Sequence, residues 1–74
     1  MSKVKILDYV AKGADVIYYE EMENCGVALT QMDGLFIVSR KFKLLAQPEH
    51  ERFLTFSEAL GRYHYILKLV LSNL

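Results

Sequence analysis

The sequence predicts a small α+β domain. A short N-terminal helix and a three-stranded antiparallel meander precede a long C-terminal amphipathic helix packed on one sheet face. Three observations predict this fold. Apolar residues recur at three- and four-residue steps from Phe56 to Leu74; Asp33-Gly34 separates two β-rich runs; and Asn24 and Gly26 stand between the earlier of those runs and another.

In the first dozen residues, Val4, Leu7 and Ala11, beside Ile6 and Val10, fit one face of a helix that Lys12-Gly13 would cap. Lys3-Val4-Lys5-Ile6 also alternates as a strand does, and the helix is the favoured expectation. Val16-Ile17-Tyr18-Tyr19-Glu20 reads as the first strand, followed by a turn over Glu23-Asn24-Cys25-Gly26. Val27 to Thr30 and Leu35 to Val38 form the next two, joined at Asp33-Gly34, which supplies the positive backbone dihedrals of a tight hairpin. The last strand can run on, because Arg40, Phe42 and Leu44 share a parity with Phe36 and Val38. The polar stretch from Gln47 to Arg52 around Pro48 reads as a loop.

Thr55-Phe56-Ser57-Glu58 is a capping box, so the final helix is expected from about Ser57 to Ser72, with Ala59, Leu60, Tyr63, Ile66, Leu67, Val70 and Leu71 on its apolar stripe. This order of elements resembles the topology of the double-stranded RNA-binding domain. Such domains gather lysines at the start of the last helix to hold phosphates, whereas Thr55-Phe56-Ser57-Glu58-Ala59 stands there in this chain, so RNA binding does not carry over.

With 74 residues and 8.6 kDa, the chain has room for one domain spanning 1–74. Nine Lys and Arg against nine Asp and Glu leave no net charge, which argues against affinity built mainly on neutralising phosphates. A single cysteine forms no internal disulfide and no signal-type segment opens the chain, so a cytoplasmic location is expected. Runs such as Leu35-Phe36-Ile37-Val38 fall far short of the roughly 20 residues that span a bilayer, so no membrane is expected. A core this small supplies only about 3–5 kcal/mol, which points to self-association as a source of further burial.

Chemistry-bearing residues are sparse. His50, His64 and Cys25 match no compact ligand spacing, and Gly13, Gly26, Gly34 and Gly61 are too dispersed for a phosphate loop. No catalytic, metal or cofactor site is expected, and the chain reads as a non-enzyme. The final helix carries Tyr65 and Leu69 with Gly61, Arg62, Lys68 and Ser72 opposite its main stripe, where a monomer would show charge. Gly61, Arg62, Tyr65, Leu69 and Ser72 are therefore the expected self-association residues of a homodimer.

For a protein partner, the candidates are the acidic strand, with Tyr18, Tyr19, Glu20, Glu21 and Glu23, and the basic run Arg40, Lys41 and Lys43. The leading expectation is a protein-protein interaction module. A second reading is a small inhibitor that blocks a nucleic-acid-handling target through the acidic strand, resembling phage-encoded anti-defence proteins in size and lack of catalytic groups. A third is weak nucleic-acid binding through Arg40, Lys41 and Lys43 with Phe42.

Overall fold

Alternation of side chains along residues 15–53 builds a four-stranded antiparallel sheet in the computed structural model, which describes residues 3–72. The strands are β1 (Asp15–Glu21), β2 (Cys25–Met32), β3 (Leu35–Phe42) and β4 (Glu49–Phe53), in spatial order β1-β2-β3-β4, followed by α1 (Phe56–Ser72). Asp33 and Gly34 take φ of 54° and 78°, the left-handed pair that lets a two-residue turn close Met32 against Leu35. At the start of α1 the Glu58 amide donates to Thr55 Oγ1 at 3.2 Å, and the Thr55 hydroxyl donates to Glu58 Oε1 at 2.8 Å. Leu74, the last apolar position of the helical pattern, lies outside the described residues. No described helix is long and apolar enough to cross a membrane.

Two expectations are corrected. The meander has a fourth strand where a loop was expected: Glu49 to Phe53 pairs with Phe36 to Arg40, and Pro48 precedes the strand, where its missing amide costs no ladder bond. Polar pairs help hold this strand, with Glu49 opposite Arg40 and His50 opposite Ser39, while Glu51 reaches Arg40 diagonally. The N-terminal helix shrinks to one 3-10 turn, Ile6–Asp8. Its residues lie on the sheet instead, with the Val4 amide donating to the Met22 carbonyl at 2.9 Å and Ile6 fully buried. The alternation at Lys3-Val4-Lys5-Ile6 is the pattern that prevails, its lysines exposed and Ile6 inside. An added strand and the loss of the first helix also remove the topological resemblance to the double-stranded RNA-binding domain.

Both sheet faces are thereby covered. Cys25, Val27, Leu29 and Val38 pack under Ala59, Tyr63 and Ile66 of α1, with Ile17, Phe36, Phe42, Phe53, Leu60, Leu67 and Val70 around them. On the other face Ala28, Thr30 and Ser39 are buried, and the N-terminal turn contacts β1, β2 and β3 but not α1. Gly26 makes this second layer possible: a Cβ there would meet Ile6 Cβ at 2.8 Å and the Val4 carbonyl oxygen at 3.1 Å. It therefore sits in a strand for reasons of close approach, not in a turn. Cys25 likewise leaves the expected turn and begins β2, buried in the core.

Candidate functional site

The outer flank of α1 follows from the seating of its inner one. Ala59, Tyr63 and Ile66 point into the sheet, so helical geometry turns Glu58, Gly61, Tyr65, Lys68 and Ser72 outward along one line at steps of three and four. Leu69 lies beside that line. Tyr65 is 51% exposed and Leu69 47%, large values for apolar side chains in a domain with so little core. Among the described residues the N-terminal turn does not reach them, because it lies on the opposite sheet face and makes no contact with α1. A Cβ at Gly61 would meet nothing within 4 Å, so no contact inside the chain requires glycine there.

Tyr65 and Leu69 border a cleft of about 340 Å³ whose floor and walls include Arg40, Phe42, Glu49, Arg62 and Val70. Its charges are neutralised. Arg40 Nε donates to Glu49 Oε1 at 2.8 Å and Arg40 Nη1 to Glu51 Oε1 at 3.0 Å, while Arg62 Nε donates to the same Glu51 oxygen at 2.9 Å. The Arg62 hydrogen bond, reinforced by that from Arg40, outweighs desolvation and holds the Glu51 carboxyl below its ordinary range. Desolvation opposes charge on Arg40, but its hydrogen bonds to Glu49 and Glu51 prevail and raise its pKa. The Arg62 guanidinium also lies 5.1 Å from the Tyr65 ring centre, which props the phenol against the helix.

The apolar surface continues past the cleft. Phe42 lines it and also lines a second hollow of about 380 Å³ with Asn24, Lys43, Leu44 and Leu45. Leu44 is 95% exposed in the turn that follows β3. Tyr65, Leu69 and Val70 thus connect through Phe42 to Leu44 and Leu45, a continuity that sequence spacing did not reveal because it joins a helix to a strand end.

The basic run does not form one surface. Arg40 faces α1 and is ion-paired. Lys41 lies on the opposite face, 7% exposed, with its ammonium donating to the Phe42 carbonyl oxygen at 2.7 Å and to that of Leu45, and sitting 5.4 Å from the Tyr9 ring centre. Lys43 is exposed at the strand end.

The acidic strand is split in the same way. Tyr18 stacks on Tyr63 at 6.1 Å between ring centres and Glu20 pairs in register with Val27, both on the helix side. Tyr19 and Glu21 take the other side, opposite Ala28 and Gly26, and Glu23 lies in the turn. What joins them is position: β1 is an edge strand, with Tyr18 and Tyr19 both about half exposed.

Cys25 is 1% exposed, and burial raises its thiol pKa against a smaller opposing pull from Arg40. Among the described residues no three metal-ligating side chains gather. Sequence reasoning did miss one polar cluster: Ser39 Oγ and His50 Nδ1 lie 2.7 Å apart, and Arg52 shares their pocket. The signal was the alternation of Glu49, Glu51 and Phe53 against His50 and Arg52, a strand period hidden by polarity. No protein-family model, curated protein or solved structure matches this chain.

Proposed function

We propose that this protein is a non-enzymatic interaction module that works as a homodimer joined through the outer flank of α1. The observation that carries the reading is the pair Tyr65 and Leu69, half exposed on the outer flank of α1, which the N-terminal layer does not reach. Continuity through Phe42 with Leu44 and Leu45 extends the apolar surface from the helix to the turn after β3.

A second copy fits this flank by symmetry. In an antiparallel pair crossing at the level of residue 63, Tyr65 falls against the partner's Gly61, where the missing side chain leaves room. Glu58 then falls beside the partner's Lys68. Each contact occurs twice, as a two-fold interface requires. Small domains gain from such burial because their own cores are limited.

Sedimentation velocity over a range of concentrations tests the reading. Wild type is expected to sediment at twice the chain mass, and Leu69→Glu, at an exposed site, as a folded monomer by circular dichroism. A wild-type mass equal to one chain at every concentration would remove the proposal.

A second reading concerns the protein partner. β1 is a free edge bearing Asp15, Glu20 and Glu21 with Tyr18 and Tyr19 on opposite faces, a surface suited to a basic target, as in the inhibitor hypothesis. Reversing Glu20, Glu21 and Glu23 together slows association with such a target in a salt-dependent way if the edge is used.

A further inference from the structure

The face of the sheet opposite α1 holds a pocket of about 220 Å³, lined by Tyr9, Val10, Ala11, Ile37, Ser39, His50 and Arg52. No carboxylate lines it. Strand parity explains the composition: His50 and Arg52 fall on the face away from α1, while Glu49 and Glu51 fall on the helix side and are held there by Arg40 and Arg62. Among the described residues no carboxylate pairs with Arg52, whereas both arginines of the other face are paired.

The pocket is also built around a fixed imidazole. Ser39 is 1% exposed, in the central strand β3, and its Oγ lies 2.7 Å from His50 Nδ1. The contact with Ser39 at Nδ1 leaves Nε2 at the far side of the ring, facing outward, where it is a donor in the tautomer that accepts the Ser39 hydroxyl at Nδ1. Ser39 itself is too deeply buried to meet a substrate carbonyl, so the pair serves to orient a donor and not to attack. The Arg52 and His50 side chains then share one concavity with Tyr9 and the apolar Val10, Ala11 and Ile37.

We propose that this pocket binds a small phosphate-bearing anion, with Arg52 and His50 Nε2 as donors to its oxygens and Ser39 as the positioning residue for the imidazole. A planar guanidinium suits two oxygens of a tetrahedral oxyanion at once, and the absence of lining carboxylates removes the usual competitor for it. Val10, Ala11 and Ile37 leave space for an apolar group esterified to the phosphate. The site lies across the sheet from the α1 flank and is independent of dimer formation.

The test is a titration of the isotope-labelled full chain, followed by nuclear magnetic resonance, with inorganic phosphate and separately with phenyl phosphate, each at constant ionic strength against chloride. Saturable shifts confined to Tyr9, Ala11, Ser39, His50 and Arg52 are expected. Tighter binding of phenyl phosphate assigns the site to a phosphate ester, and equal binding assigns it to free phosphate. Arg52→Gln, at an exposed side chain, is expected to weaken binding about tenfold, the usual consequence of losing a charge-assisted hydrogen bond. Ser39→Ala is expected to weaken it less and to broaden the His50 ring signals. Shifts no greater than those with chloride, or equal affinity in Arg52→Gln, overturn the proposal.

Discussion

Arg62 on the second turn of α1 donates to Glu51 in the middle of β4 at 2.9 Å, tying the helix to a strand made largely of polar residues. The Glu51 pKa is lowered in the folded chain, chiefly by Arg62 and then by Arg40. A carboxyl lowered on folding contributes stability that is present above its unfolded value near 4.5 and is lost as pH falls through the folded one. Glu51→Gln is therefore expected to cost about 1 kcal/mol at neutral pH, a modest figure because the group is partly exposed, and to cost less in acid. Urea titrations of both proteins at neutral and acidic pH check this; a difference that stays constant across that range excludes the linkage.

Gly26→Ala should be among the most damaging small substitutions in the chain. The new methyl group would stand 2.8 Å from Ile6 Cβ, an atom fixed to the backbone and unable to swing aside. Either the N-terminal layer lifts from the sheet or β2 shifts, at about 1–3 kcal/mol. Hydrogen exchange distinguishes these outcomes, since lifting the layer exposes the Val4 amide that now bonds to Met22.

Tyr63 anchors the helix from inside and titrates accordingly. Burial, with smaller contributions from Glu20 and Tyr18, pushes its phenol from 10.0 up to about 12. A phenol raised on folding contributes stability that is complete below its unfolded value and is lost as pH rises through the folded one. Alkaline denaturation from pH 10.0 toward about 12 is the expected result. Tyr63→Phe should reduce that alkaline sensitivity, as followed by tyrosine absorbance and circular dichroism across the range.

Legibility in the sequence followed the strength of local periodicity. The helix from Phe56 to Ser72, its Thr55 cap and the Asp33-Gly34 turn were readable because each depends on residues a few positions apart. β4 was hidden because its residues are polar, and their partners in β3 become visible only in register. The N-terminal segment was misread because burial on Gly26 overrode a helical pattern of apolar residues, a tertiary contact with no local trace. Of the candidate site, the outward placing of Tyr65 and Leu69 followed from helical spacing alone. The union with Phe42 and the splitting of Arg40 from Lys41 depend on which sheet face each residue takes.

The antiparallel pairing proposed for α1 makes a prediction that mere stickiness does not. If Glu58 lies beside the partner's Lys68, then Glu58→Lys or Lys68→Glu alone places like charges together twice in each dimer, and combining them restores opposite charges. At about 0.5 kcal/mol of attraction lost and about as much repulsion added at each exposed pair, doubled by symmetry to about 2 kcal/mol, a single reversal should weaken the dimer roughly thirtyfold and the double reversal should recover it. Gly61→Ala separates folding from association further. No atom lies within 4 Å of the added methyl inside one chain, so the monomer should gain up to about 1 kcal/mol in helix propensity. The same methyl would occupy the space taken by the partner's Tyr65, so the dimer should weaken while each chain becomes more stable. Sedimentation for the dimer and urea unfolding of the Leu69→Glu monomer, with and without Gly61→Ala, measure the two effects apart. A dimer that survives Gly61→Ala and ignores the charge reversals would be joined by some other surface, and the crossing at residue 63 would be wrong.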